Sequence, residues 1–186
     1  MAIGESDMIS EAFIAQHISK TNWQNRVLFL GTSLPIRNMD RYAEAGEHMP
    51  LVVANRGASG IDGIISTAAG FALGIGEPLI LVVGDMTFLH DTNGLSFLKD
   101  IPTQMIIVVV NNSGNGIFAT LPIAKSTDVF ERYFKVPHRY DLSGASKIFG
   151  IKHQVACTEP EFEELYQAAL LSQESLVIEA IIPVII

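Results

Sequence analysis

Two short stretches of this chain carry residues suited to holding a metal ion and a phosphate group. Gly84-Asp85-Met86-Thr87 and Asn111-Asn112-Ser113-Gly114-Asn115-Gly116 each follow a continuously apolar run, at 79–83 and 105–110. If those runs are neighbouring strands, Asp85 and Asn112 stand side by side at their ends. A carboxylate, an amide oxygen and a nearby backbone carbonyl are hard oxygen donors. They suit Mg²⁺, which prefers octahedral oxygen coordination and commonly completes it with water and phosphate. The glycines free residues 113–116 to turn sharply and aim backbone groups at an anion. Thr87 adds a hydroxyl, and the helix after it an N-terminus. The chemistry implied is joint binding of a divalent cation and a diphosphate.

The elements that must position these loops are also legible. β-branched runs at 27–30, 51–54, 79–83, 105–110, 153–157 and 176–182 alternate with helical patterns, which implies a doubly wound α/β fold with a mainly parallel six-stranded sheet. The third and fourth runs are apolar throughout rather than alternating, as expected of central strands covered on both faces. Thr158-Glu159-Pro160-Glu161 reads as a capping box with proline in the first turn. Asp141 is placed to cap a helix that reaches Phe149 and stops at Gly150. Ile9, Phe13, Ile14 and Ile18 mark the apolar face of a first helix. The segment 61–74 is helical and rich in Gly, Ala and Ser, which favours close approach to a neighbour. A short helix near 127–133 is expected within a loop-rich excursion.

In a doubly wound sheet, ligands bind beyond the carboxyl ends of the strands. Two further loops there are distinctive: Gly31-Thr32-Ser33 with Arg37 after the first strand, and residues 55–60, Asn-Arg-Gly-Ala-Ser-Gly, after the second.

The 186 residues suffice for one domain with a sizeable core. Twelve Lys and Arg against twenty Asp and Glu give a net charge of −8, so no general attraction to nucleic acid or anionic lipid is expected. No apolar run has the length of about 18–20 residues needed for a membrane span. The lone Cys157 has no internal disulfide partner and reads as core packing, and a cytoplasmic location is the default. The mean hydropathy of +0.32 is high for a small acidic domain and implies apolar surface shared with another domain or subunit.

Gly84-Asp85, followed at this distance by Asn111-Asn112, resembles the motif of thiamine-diphosphate (ThDP) enzymes, which begins Gly-Asp-Gly and ends Asn-Asn. Met86 stands where that motif has its second glycine. Residues 55–63 with Ser66-Thr67-Ala68-Ala69-Gly70 are similar to the corresponding part of the 2-succinyl-5-enolpyruvyl-6-hydroxy-3-cyclohexene-1-carboxylate synthases of menaquinone biosynthesis. So are residues 109–112 leading to Gly116-Ile117-Phe118 and Leu121-Pro122. The likeness runs over essentially the whole chain, strongest at 55–122 and weak beyond Tyr140.

The resemblance implies a diphosphate-binding domain. Asp85, Asn112 and the carbonyl of Gly114 would hold Mg²⁺ or Mn²⁺. Thr87 with neighbouring amides would hold the cofactor's diphosphate, Gly84, Met86, Gly116 and Ile117 would be further cofactor contacts, and Ser59, Gly60 and Ile61 would meet its aminopyrimidine. Ser33, Arg37 and Arg56 match positions that contact carboxylated substrates, with Ile117, Phe118 and Leu121 as an apolar wall. The implied transferase decarboxylates 2-oxoglutarate and adds the succinyl-semialdehyde unit to isochorismate. Its activating glutamate lies on a pyrimidine-binding domain of another subunit, and this chain offers no candidate for it. The chain is therefore expected to be a C-terminal fragment of a larger homo-oligomeric enzyme, inactive alone.

Plainer readings stand beside these. Ser59 fits a helix N-cap, Ile61 a core position, and Arg37 a solvated charge. The histidines at 17, 48, 90, 138 and 153 show no ligand spacing, and none is expected to be catalytic. Another ThDP-dependent 2-oxoacid decarboxylase or acetolactate-synthase-like enzyme, or a non-catalytic cofactor-binding module, would share the fold. Neither a Gly-x-Gly-x-x-Gly after the first strand nor a Walker lysine is present.

Overall fold

A computed structural model describes residues 8–21, 23, 26–46, 50–55 and 59–183. Six parallel strands form one sheet: β1 (Val27–Leu30), β2 (Leu51–Ala54), β3 (Leu79–Gly84), β4 (Met105–Asn111), β5 (Lys152–Ala156) and β6 (Leu176–Ile181). Their order is β2-β1-β3-β4-β6-β5, with β3 and β4 at the centre as their unbroken apolar runs imply. Every residue of β4 is buried, as are the first five of β3.

Period-two alternation sends neighbouring side chains of each strand into different cores. Leu28, Leu30, Ile80, Val82, Ile106 and Val108 pack with α1 (Glu11–Ser19), α2 (Leu34–Tyr42) and α7 (Glu159–Leu171). Val27, Phe29, Leu79, Leu81, Val83 and Ile107 pack on the opposite face. That face is covered by α3 (Ile64–Ile75), α4 (Asp85–His90), a 3₁₀ segment at Thr92–Lys99 and α6 (Ser143–Ile148). Among the described residues no helix is long and apolar enough to cross a membrane.

Local signals explain the element ends. The α7 capping box is present: Glu161 N–H donates to Thr158 Oγ1 at 3.3 Å, and Glu161 Oε2 accepts from Thr158 N–H at 3.1 Å. Thr158→Ala is expected to cost about 1 kcal/mol, read as a shifted urea midpoint. The small residues of α3 do permit close approach, since a Cβ on Gly94 would lie 2.8 Å from Ser66 N.

Three expectations are corrected, and that of a short helix near 127–133 is extended. Helix α3 begins at Ile64, capped by Gly63 in a left-handed conformation, so Ser59 is exposed ahead of the helix and does not cap it. Asp141 accepts from Ser143 N–H and Oγ–H, while Leu142 occupies the N-cap position of α6. The short helix α5 (Thr127–Val129) runs on as a π-turn to Lys135. Cys157 is exposed rather than core, because β5 ends at Ala156 and the Cys157 N–H is already taken by the Glu161 carboxylate at 2.8 Å.

Apolar surface remains at the β2 edge, where Leu51 and Val52 are 58% and 46% exposed, and on Leu73, Phe97, Ile148 and Leu171. An apolar edge strand, open on its outer side among the described residues, is unusual for a free surface.

Candidate functional site

The strand order reverses between β1, which leads outward to β2, and β3, which starts the other half of the sheet. Loops leaving such a switch point splay apart and open a crevice. A cavity lies there, lined by Ser33, Leu34 and Pro35 after β1, Ile61 ahead of α3, residues 84–87 after β3, and Asn112 and residues 114–116 after β4. Glu11 at the start of α1 completes its wall.

Register sets the first pair. Gly84 is paired with Val110, so Asp85 and Asn112 leave neighbouring central strands within a residue of each other. Asp85 is 1% exposed and fully engaged. Its Oδ1 accepts from Met86 N–H at 2.7 Å, and its Oδ2 accepts from Gly114 N–H at 2.8 Å and faces His138 Nε2 at 3.0 Å. Since His138 Nδ1 accepts from Tyr140 N–H at 3.3 Å, the ring proton sits on Nε2 and is donated to Asp85. Burial pushes the Asp85 carboxyl above its ordinary value, opposed by the Gly114 and Met86 amides and by His138.

The loop after β4 is held in an unusual shape. Asn111 is buried; its Nδ2 donates to Glu179 Oε1 at 2.6 Å and its Oδ1 accepts from Ser113 N–H at 2.9 Å. Glu179 is in turn held by His153 Nε2 at 2.8 Å, with Ser146 Oγ on the other ring nitrogen. Ser113 and Gly114 follow at φ +60° and +141°. A Cβ at Gly114 would lie 2.5 Å from Lys135 O, so only glycine fits. The next asparagine, Asn112, points its Nδ2 at Glu11 Oε1 (2.9 Å), while its Oδ1 is buried with no hydrogen-bond partner among the described residues.

A buried orphan oxygen is costly unless something satisfies it. Lining the same cavity are the Asp85 carboxyl and Gly114, whose carbonyl accepts from Gly116 N–H at 3.1 Å and keeps a second lone pair. Hard oxygens of this kind suit a divalent cation of the Mg²⁺ type. Among the described residues no three His, Cys, Asp or Glu side chains gather as an alternative centre.

The other sequence-derived candidates divide. Gly84, Met86, Thr87, Gly116, Ile61 and Ser33 line the same cavity. Ser33 adopts φ +71° without a side-chain cap bond, local strain of the kind functional sites hold. Gly60 lies next to Ile61, its carbonyl accepting from Thr32 Oγ1 at 2.9 Å. Ile117 and Phe118 follow on a 3₁₀ turn, Gly116–Thr120, with Phe118 edge-on to Phe134, and Leu121 is 46% exposed. Arg37 is exposed, donates to Ser33 O at 2.7 Å, and lines a separate depression with Asp40 and residues 52–54. Arg56 lies outside the described residues. Sequence reasoning missed Glu11, His138 and Glu179. Only Glu179 left a signal, as the one charge inside the apolar run of β6.

The fold matches solved structures. Benzoylformate decarboxylase from Polynucleobacter necessarius superposes with a TM-score of 0.75 at 20% identity, over 98% of this chain and 35% of that one. A putative thiamin diphosphate-dependent enzyme from Mycobacterium smegmatis gives 0.73 at 14%, over 96% and 33%. At such identities the likeness shows the fold alone. Curated relatives are nearer in sequence. The 2-succinyl-5-enolpyruvyl-6-hydroxy-3-cyclohexene-1-carboxylate synthase of Chlorobium limicola is 45% identical over 172 residues, which is 92% of this chain and 30% of that protein. Its namesake from Chlorobaculum parvum is 41% identical over 179 residues, 96% of this chain and 31% of that protein. This chain thus spans about a third of the length of the relatives it matches. Residues 39–180 match the family model described as the thiamine pyrophosphate enzyme C-terminal TPP-binding domain, so the chain belongs to that family.

Proposed function

We propose that this chain is the diphosphate- and metal-binding domain of a ThDP-dependent 2-succinyl-5-enolpyruvyl-6-hydroxy-3-cyclohexene-1-carboxylate synthase. The observation that carries the reading is the buried Asn112 Oδ1, without a partner among the described residues, in the cavity it lines with Asp85 and Gly114 at the switch point of a chain 45% identical to a synthase of that name. Asp85, Asn112 and the Gly114 carbonyl would hold Mg²⁺ or Mn²⁺. Residues 84–87 and 114–116 would surround the diphosphate, and Ile61 would bear on the cofactor's middle. When bound, ThDP would supply nucleophilic addition to a 2-oxoacid carbonyl and an electron sink, so that carbon dioxide can leave 2-oxoglutarate and the remaining four-carbon unit can be passed to isochorismate.

What this chain's residues contribute is position and charge. The Asp85 carboxylate, the Asn112 amide oxygen and the Gly114 carbonyl would fix the cation, and the loop N–H groups would face the diphosphate, before any reaction begins. Ser33 opens toward the same cavity, while Phe118 and Leu121 form an apolar border at which a carboxylated ring would rest. Arg37 and Arg56 would meet the substrate carboxylates as bidentate partners, Arg37 by leaving Ser33 O. A pyrimidine-binding domain from another subunit would cover the cavity and bring the activating glutamate, and the exposed apolar residues accord with such a homo-oligomer in the cytoplasm.

Calorimetry tests the cofactor part: ThDP should bind only with Mg²⁺ or Mn²⁺ present, and NAD and ATP should not. Binding indifferent to metal would overturn it. The chain by itself should give no turnover of 2-oxoglutarate with isochorismate, and measurable turnover would contradict the need for a second domain.

A further inference from the structure

Glu11 belongs to none of the loops that form the metal and diphosphate site, yet it lines that cavity. It is the first residue of α1, a helix fixed at its start by Ser10 Oγ, which accepts from Phe13 N–H at 3.1 Å, and beneath by buried Ile14 and Ile18. Both of its carboxylate oxygens are engaged by amides from other elements. Oε1 accepts from Asn112 Nδ2 at 2.9 Å, and Oε2 accepts from Nδ2 of Asn38, itself 8% exposed on α2.

A carboxamide has two orientations related by a half-turn, nearly equal in shape and opposite in polarity, so its neighbours decide which is populated. A carboxylate only accepts hydrogen bonds. Glu11 therefore holds the nitrogen of Asn112 on its own side and turns Oδ1 away from itself. The loop backbone cannot make that choice, because the bonds that fix it run through Asn111, Glu179 and Ser113. We propose that Glu11 is a positioning residue: by pinning Nδ2 of Asn112 it commits Oδ1 to the cation. The inference rests on the metal site proposed above, and extends it to a residue on a different helix.

Partners one shell removed from a metal commonly change its affinity about 10–100-fold when lost. Glu11→Gln keeps the size and allows either amide to donate, so Asn112 loses its enforced orientation. Mn²⁺ affinity, read from the free-ion EPR signal at saturating ThDP, should fall about tenfold or more in Glu11→Gln. In an Asn112→Ala background the same substitution should change affinity by less than about twofold, because nothing remains to orient. A purely structural role, or a direct charge effect on the ion, would weaken both backgrounds alike and overturn the proposal, as would wild-type affinity in Glu11→Gln. Should that variant fail to fold, Asn38→Ser, which releases one carboxylate oxygen, carries the same comparison: a smaller loss of the same sign supports the proposal and an unchanged affinity refutes it. If the wild-type protein shows no ThDP-linked Mn²⁺ binding, it is the metal reading itself that fails.

Discussion

Asp85→Ala is expected to abolish metal-linked ThDP binding, with a loss of at least about 100-fold in Mg²⁺ affinity by calorimetry, since removal of a direct ligand should exceed the effect of losing an outer partner. The same residue makes the metal-free protein sensitive to pH in a definite direction. Burial holds the Asp85 carboxyl above its ordinary value, so the folded chain binds this proton more tightly than the unfolded one. That contribution to stability is complete below the ordinary carboxylate pKa of about 3.9 and is lost as pH rises through the higher folded value. Asp85→Asn removes the titration. Without metal, the wild type should therefore lose stability relative to Asp85→Asn as pH is raised from about 4 toward neutrality, read from urea midpoints across that range. Mg²⁺ with ThDP should close the gap by stabilising the wild type alone, because the cation offsets the buried charge. Parallel curves for the two proteins would show that burial does not govern this carboxyl.

The fold was legible because its central strands are covered on both faces, and continuous burial writes itself as unbroken apolar sequence in 79–83 and 105–110. The loops at their ends were legible for a related reason: Gly-Asp and Asn-Asn directly after such runs have no packing role to explain them. What stayed hidden is the set of residues that support those loops from a distance. Glu11 looks like any acid in the first turn of a helix, where the helix dipole alone would favour it. His138 carries no spacing signal, since it reaches Asp85 only because the segment after the π-turn folds back under Gly114. Cys157 shows the opposite error. The β-type pattern ran one residue past the strand, because the competing bond to Glu161 is made by side-chain chemistry that hydropathy does not register. Contacts between elements far apart in sequence are set by the packed sheet, and one-dimensional periodicity holds no record of them.

Gly114→Ala tests how tightly that support is coupled to the site. Segments 113–115 and 135–138 are stitched together by Asn115 N–H to Lys135 O at 2.8 Å and His138 N–H to Ser113 O at 3.4 Å. The new methyl group would meet Lys135 O at 2.5 Å and Val136 O at 3.1 Å, at a backbone φ of +141° that L-residues rarely adopt. Strain and overpacking together should cost roughly 2–5 kcal/mol in urea unfolding. Relief has only two routes. If the loop retreats, the Gly114 N–H leaves Asp85 Oδ2; if 135–138 retreats, His138 leaves the same oxygen. Either route strips a partner from the carboxylate, so Mn²⁺ affinity should fall by about tenfold even in molecules that remain folded. Gly144→Ala is the control, because it lies in α6 with nothing within 4 Å of the added carbon, and a glycine exchanged for alanine inside a helix should gain about 0.5–1 kcal/mol. Lost stability with unchanged metal affinity in Gly114→Ala would mean that the stitched segments support the fold without governing Asp85.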